Sequence, residues 1–168
     1  MTASGLDVSG GSMLIIEDDL SGEKIRALLA FHQEQMLANS PPGMAYVLDV
    51  SGLKAPGVSF WSIWEGNALM GCGAMKELAP DWGEIKSMRT HPDHLRKGVG
   101  AAMLEYIIGV AQSRGYRRLS LETGAGPTFE AALALYRRRG FQNGAVFGGY
   151  GVSDFNQFLH LELQAETI

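Results

Sequence analysis

The chain has 168 residues, 46% of them hydrophobic and 19% charged, enough for one domain with a substantial core and too apolar for a disordered segment. A net charge of −4 argues against a protein built to neutralise nucleic-acid phosphates. The single cysteine, Cys72, excludes an intramolecular disulfide and a thiolate metal cage, and it fits a reducing, cytoplasmic compartment. Since no apolar run approaches the roughly 20 residues of a bilayer span, neither nucleic acid nor membrane is expected as a partner.

Residues 1–12 are small, polar and Gly/Ser-rich, without the basic and apolar regions of a signal peptide. They are expected as a flexible leader before a single domain over 13–168. Met13-Leu14-Ile15-Ile16 reads as a strand. Ser21 is placed to cap a helix whose Ile25, Leu28, Leu29, His32 and Met36 share one face, and Asn39-Ser40-Pro41-Pro42-Gly43 ends it. Tyr46 to Gly57 is ambiguous between loop and a helical turn. Val58–Trp64 and Leu69–Lys76 form a hairpin around Glu65-Gly66-Asn67.

Glu84 to Thr90 is a strand ended by His91-Pro92. The apolar stripe Val99, Ala102, Met103, Tyr106, Ile107, Val110 and Ala111 then predicts a helix terminated at Gly115. Arg118–Glu122 reads as a strand and Thr128–Arg139 as a helix with Ala131 and Leu135 inward. Phe141–Tyr150 and Phe158–Leu163 read as late strands. Strand meanders followed by strand–helix–strand–helix–strand give an α/β domain with a mixed sheet.

The informative stretch is Glu84-Ile-Lys-Ser-Met-Arg-Thr-His-Pro-Asp-His-Leu-Arg-Lys-Gly-Val-Gly-Ala101. A strand feeds a loop, and the loop opens a helix at Gly98-Val99-Gly100. The first turn of a helix leaves N–H groups without intrahelical partners, and its dipole favours an anion. Glycines allow close approach of the backbone, and Arg96 and Lys97 add positive charge. The pattern reads as a pyrophosphate cradle. A P-loop would need Gly-Lys-Ser/Thr, which is absent. The dinucleotide fingerprint fits less well than it first looks, although Glu122 ends the next strand. Met103 stands at its third glycine, and the turn lies too far beyond Thr90.

The segment His-Pro-Asp-His-Leu-Arg-Lys-Gly-Val-Gly resembles the acetyl-CoA loop of the GCN5-related N-acetyltransferase (GNAT) superfamily. Leu95 replaces the usual Gln or Arg. Leu135-Tyr136 and Gly140-Phe141, with Ala132 before them, resemble the second motif of that family, with Phe129 in place of its usual Asn. The likeness runs from about Phe60 to the C-terminus and is closest to a subgroup of small bacterial acetyltransferases. It implies a GNAT fold: a mixed, mostly antiparallel sheet of six to seven strands, splayed between the fourth and fifth, flanked by about four helices. It also implies acetyl-CoA as cosubstrate and no metal.

By the same resemblance, backbone groups of Met88, Arg89 and Thr90 pair with the pantetheine arm, and N–H groups of Arg96, Lys97, Gly98, Val99, Gly100 and Ala101 meet the pyrophosphate. Glu84 is the candidate general base and Tyr136 the general acid. The acceptor is a small-molecule or peptide amine attacking directly, and dimers are frequent in the family. The competing function is a non-catalytic acyl-CoA-binding module, which would need the cradle but not Glu84 and Tyr136.

Each side chain has a plainer alternative. Glu84 fits a solvated strand edge, Tyr136 a core ring, and His32 a satisfied core histidine. Glu122 is a second candidate base or a partner for a nearby arginine. His91 and His94 suit loop hydrogen bonds, with no third ligand spaced for a metal. Cys72 reads as a small buried hydrophobe. Tyr46, Trp61, Trp64 and Tyr150 suit either an acceptor pocket or sheet packing.

Overall fold

The computed structural model describes residues 3–8 and 11–164. Its strands are β1 (Ala3–Val8), β2 (Gly11–Glu17), β3 (Val58–Glu65), β4 (Ala68–Ala79), β5 (Trp82–Thr90), β6 (Arg118–Gly124), β7 (Gln142–Asn143) and β8 (Asn156–Glu162). The α-helices are α1 (Glu23–Ala38), α2 (Val50–Leu53), α3 (Val99–Ser113) and α4 (Glu130–Arg138). The strands form one eight-stranded sheet in the order β1-β2-β3-β4-β5-β6-β8-β7. All neighbours are antiparallel except β5 and β6. With the N-terminal strand set aside, this parallel contact joins the fourth and fifth strands, as the GNAT fold requires.

Two cores sandwich the sheet. Beneath α3 and α4 lie Ile15, Trp61, Ile63, Met75, Ile85, Met103, Ile107 and Leu119. On the opposite face, Ile25, Leu28 and Leu29 of α1 pack with Leu53, Phe60, Leu69, Cys72 and Ala74. The period of two in the strands explains this division: Ile85 enters the first core, and its neighbours Glu84 and Lys86 point to the α1 side. Close approach of α3 depends on two glycines in β4. An added Cβ at Gly73 would lie 2.7 Å from Met88 Sδ and 2.8 Å from Met103 Cγ. At Gly71 it would meet the Arg89 carbonyl oxygen at 2.7 Å and Val99 Cγ1 at 2.9 Å.

The elements read from periodicity are present, with α3 ending as expected at Gly115. There φ is +81°, and the Gly115 and Tyr116 N–H groups donate to Gln112 and Ala111, the Schellman arrangement that glycine makes cheap. Four readings change. Ala3–Val8, expected as leader, is strand β1, pairing with Gly11–Ile16 and covering what would otherwise be the open edge of β2. Gly22, not Ser21, is the N-cap of α1, because the Ser21 hydroxyl donates to Asp19 Oδ1 at 2.6 Å instead.

The inward face of α4 carries Leu133 and Tyr136, and Ala131 is exposed. The remaining change concerns Phe141–Tyr150, where only Gln142–Asn143 enters the sheet. Beyond them the chain leaves as a loop, with Gly148 at φ +60° and Phe147 buried among Trp82, Tyr150 and Phe158. Burying Phe147 in this aromatic cluster wins over extending a two-sided edge strand, and the loop thereby carries Tyr150 toward β5.

Candidate active site

β5 and β6 pair only at Trp82, Gly83 and Glu84 with Arg118, Leu119 and Ser120. Beyond that point β6 stays in register with β8 as far as Gly124, while β5 turns away. The turn comes from a bulge. Cys72 opposes Arg89 and Ala74 opposes Lys86, so Gly73 faces two residues, Ser87 and Met88, and Ser87 takes φ +55°. The β6-facing edge of residues 85–90 therefore has no ladder partner among the described residues. The main-chain groups on this edge, alternate ones along residues 85–90, lie open to the gap, and unsatisfied backbone polar groups require a partner.

One end of the gap leads to the loop before α3. Pro92–His94 make a short 3₁₀ turn, capped by His91 Nδ1 accepting from the Asp93 N–H at 3.1 Å. Arg96 and Gly98 follow with φ of +64° and +81°. The ladder of α3 begins with Ala102 N–H donating to the Gly98 carbonyl, so the N–H groups of Val99, Gly100 and Ala101 precede the first intrahelical bond. A Cβ at Gly98 would meet nothing within 4 Å. The two glycines differ in purpose. Gly98 provides the left-handed turn, whereas Gly100 makes room for Leu135 of α4, which a Cβ would approach to 3.2 Å. Lys97 Nζ lies 3.1 Å from His94 Nδ1 beside this site. Leu95 projects outward, 59% exposed.

Toward α1 the gap widens into a cleft of about 160 Å³ whose lining includes His32, Glu84, Lys86, Arg89, Glu122 and Tyr136. Glu84 is nearly inaccessible at 3% exposure. Its carboxylate accepts from the Tyr150 hydroxyl and pairs with Lys86 Nζ at 3.3 Å. Lys86 Nζ also donates to the Tyr150 oxygen at 2.6 Å. Burial and the neighbouring Glu84 charge both raise the Tyr150 pKa, so it stays a neutral hydrogen-bond donor. Glu122, across the gap on β6, is lifted to about 7 by burial, with a hydrogen bond from Asn156 and the Lys86 charge acting against it.

Tyr136 is buried on α4, with its ring edge-on to Phe141 at 5.6 Å. Tyr136 is among the residues lining the cleft, its hydroxyl hydrogen-bonds to no other described residue, and burial raises its pKa. Phe129 packs against Phe155 at 5.5 Å in the same wall. Cys72 is inert: burial raises its thiol to about 12, and it donates to the Ser87 carbonyl.

A family model for the acetyltransferase (GNAT) family matches residues 25–141. The chain belongs to the GNAT acetyltransferase family. Two curated relatives agree. The uncharacterized N-acetyltransferase YsnE of Bacillus subtilis (strain 168) is 47% identical over 146 residues, which span 87% of this chain and 97% of that protein. The uncharacterized N-acetyltransferase YedL of Escherichia coli (strain K12) is 46% identical over 146 residues, 87% of this chain and 92% of that protein. Among solved structures, one assigned as an acyl-CoA N-acyltransferase from Klebsiella pneumoniae superposes with a TM-score of 0.75 at 26% identity, covering 89% of this chain and 97% of that one. As a GNAT member the protein is an acyltransferase of the N-acetyltransferase class.

Of the residues singled out from sequence, Glu84, Met88, Arg89 and Tyr136 line the one cleft, and Thr90 follows them on β5. Residues 96–101 form the separate approach from α3. Lys86 went unread in the sequence. Its signal was available, because Glu84-Ile85-Lys86 in a strand places the two charged side chains on one face.

Proposed function

We propose that the protein transfers the acetyl group of acetyl-CoA to an acceptor amine by direct attack within a ternary complex, at the splay between β5 and β6. The observation that carries this reading is the open β5 edge flanked by two unlike ends: main-chain donors at α3 and ionisable side chains at α1. The chain's residues fit the donor molecule. N–H groups from Arg96 to Ala101 suit its diphosphate, and Met88 to Thr90 suit the amides of its pantetheine arm. When bound, acetyl-CoA supplies the activated acyl group, and the protein binds, orients and manages protons.

The proton problem decides the roles. An amine of pKa about 10.4 is deprotonated less than about one part in a thousand at neutral pH, a handicap of about 4–5 kcal/mol. A base with pKa close to the working pH relieves it best. Sequence pointed to Glu84, but the Glu84 carboxylate is engaged by Tyr150 and Lys86. Glu122 faces the same cleft with a pKa of about 7, so we assign it the acceptor's proton and give Glu84 the task of anchoring Lys86 and Tyr150. Tyr136, its hydroxyl unengaged, is assigned to protonate the departing thiolate.

Thiol release from acetyl-CoA in the presence of an amine panel tests the proposal. Turnover with at least one amine is expected. Tight binding of acetyl-CoA with no turnover for any acceptor would instead favour an acyl-CoA-binding module.

A further inference from the structure

Arg89 is the one side chain of the cleft whose charge the mechanism above does not use. Beside the bulge it points to the α1 face, where its Nε donates to His32 Nδ1 at 2.8 Å and its guanidinium lies over the Phe31 ring at 5.7 Å. These contacts engage one edge and one face of the fork, the two Nη groups have no hydrogen-bond partner among the described residues, and Arg89 lines the cleft. Neither contact supplies negative charge. Burial and Arg89 itself hold His32 down to about 4, so its ring is neutral, and the adjacent Cys72 thiol is neutral as well. Among the described residues no carboxylate lies within ion-pair distance of Arg89. Glu84, in the same cleft, is committed to Lys86.

A desolvated guanidinium without an anion is costly, and its planar fork matches a carboxylate bidentately. The cleft it faces contains none of residues 96–101, so its anion is not the diphosphate at the cradle. Two contacts join residues of the cleft lining, which encloses about 160 Å³. Thr128 Oγ1 donates to Asn39 Oδ1 at 3.4 Å, linking the end of α1 to the segment before α4, and the Tyr46 and Tyr150 rings meet edge-on at 4.9 Å.

We propose that Arg89, held by His32, is the carboxylate-recognition residue of the acceptor chamber, and that the acceptor is a small molecule bearing both an amine and a carboxylate, a free amino acid in the simplest case. The carboxylate sits on the Arg89 Nη groups and the amine faces Glu122. This inference rests on the amine-acetylation reading above and names its substrate class.

The test measures thiol release with the full chain, acetyl-CoA and three acceptor sets: free amino acids, the corresponding amino-acid amides, and simple alkylamines. The acids are expected to exceed their amides in kcat/KM by about tenfold or more, the worth of a charge-assisted pair. Arg89→Met should collapse that ratio toward one, and Arg89→Lys should retain part of it, since an ammonium keeps the charge without the fork. Circular dichroism checks that each variant folds, and if Arg89→Met does not, the wild-type ratio and Arg89→Lys decide.

Amides used as well as acids by the wild type, or a ratio unmoved by Arg89→Met, would overturn the proposal. So would an enzyme that acetylates only amidated peptides, or one that binds acetyl-CoA and uses no member of the panel. Failure of the underlying reading looks different: acetyl-CoA is then neither bound nor consumed with any amine.

Discussion

The two ends of the cleft are built on different principles. At the α3 end the chemistry is main-chain: donors of a first helical turn, presented by a left-handed residue at Gly98 and backed by few side chains. At the α1 end it is side-chain chemistry, with Glu84, Lys86 and Tyr150 locked together and Arg89, Glu122 and Tyr136 left facing the cleft. Leu95, before the Gly98 turn, projects outward and takes no part in it. The side-chain cluster is where the proposed reaction and its acceptor would be decided.

Substitutions at the two ends should therefore fail differently. The largest effect is expected at the cradle. Gly98→Glu forces a side chain to adopt φ +81°, a strain of about 1–2 kcal/mol, and places a carboxylate beside the donors proposed to hold the diphosphate. Calorimetric titration should show loss of CoA binding, and wild-type affinity would break the comparison. At the other end, Glu122→Gln should lower kcat/KM by roughly 10²–10³ while leaving CoA affinity close to wild type. It should also remove the fall in rate on acidification below about 7. An unchanged pH profile would remove Glu122 as the base.

The same group sets a stability trend. Because burial lifts Glu122 from 4.5 to about 7, the folded protein holds this proton more tightly than the unfolded chain does. Its contribution is complete below the unfolded pKa and is lost as pH rises through the folded one. Glu122→Gln should flatten the corresponding decline in Tm. Tyr136→Phe should cost about 10- to 100-fold in kcat with little change in Tm, since its hydroxyl has no protein partner to lose; an unaltered kcat would return Tyr136 to the core. The smallest effect joins the two ends. Gly71→Ala presses on the Arg89 carbonyl and on Val99 at the start of α3, and thermal unfolding should show a loss of about 1–3 kcal/mol.

The same division explains what the sequence made legible. The β3–β4 hairpin, α3 with its Gly115 stop, and the left-handed turn at Gly98 follow from local rules, namely period, turn chemistry and positive φ, and each appears where the pattern places it. The α1 end depends on contacts between distant residues. Tyr150 reaches Glu84 across 66 positions and Lys86 across 64, because burial of Phe147 turns an expected strand into a loop. No local pattern contains that event. The pairing of Ala3–Val8 with β2 is likewise set by an open sheet edge, not by composition.

Amide-resolved hydrogen exchange with and without CoA tests the central claim most directly. The account predicts slowed exchange at the main-chain amides from Gly98 to Ala101 together with those of Met88 to Thr90. Protection confined to other segments, or no protection at saturating CoA, would contradict it.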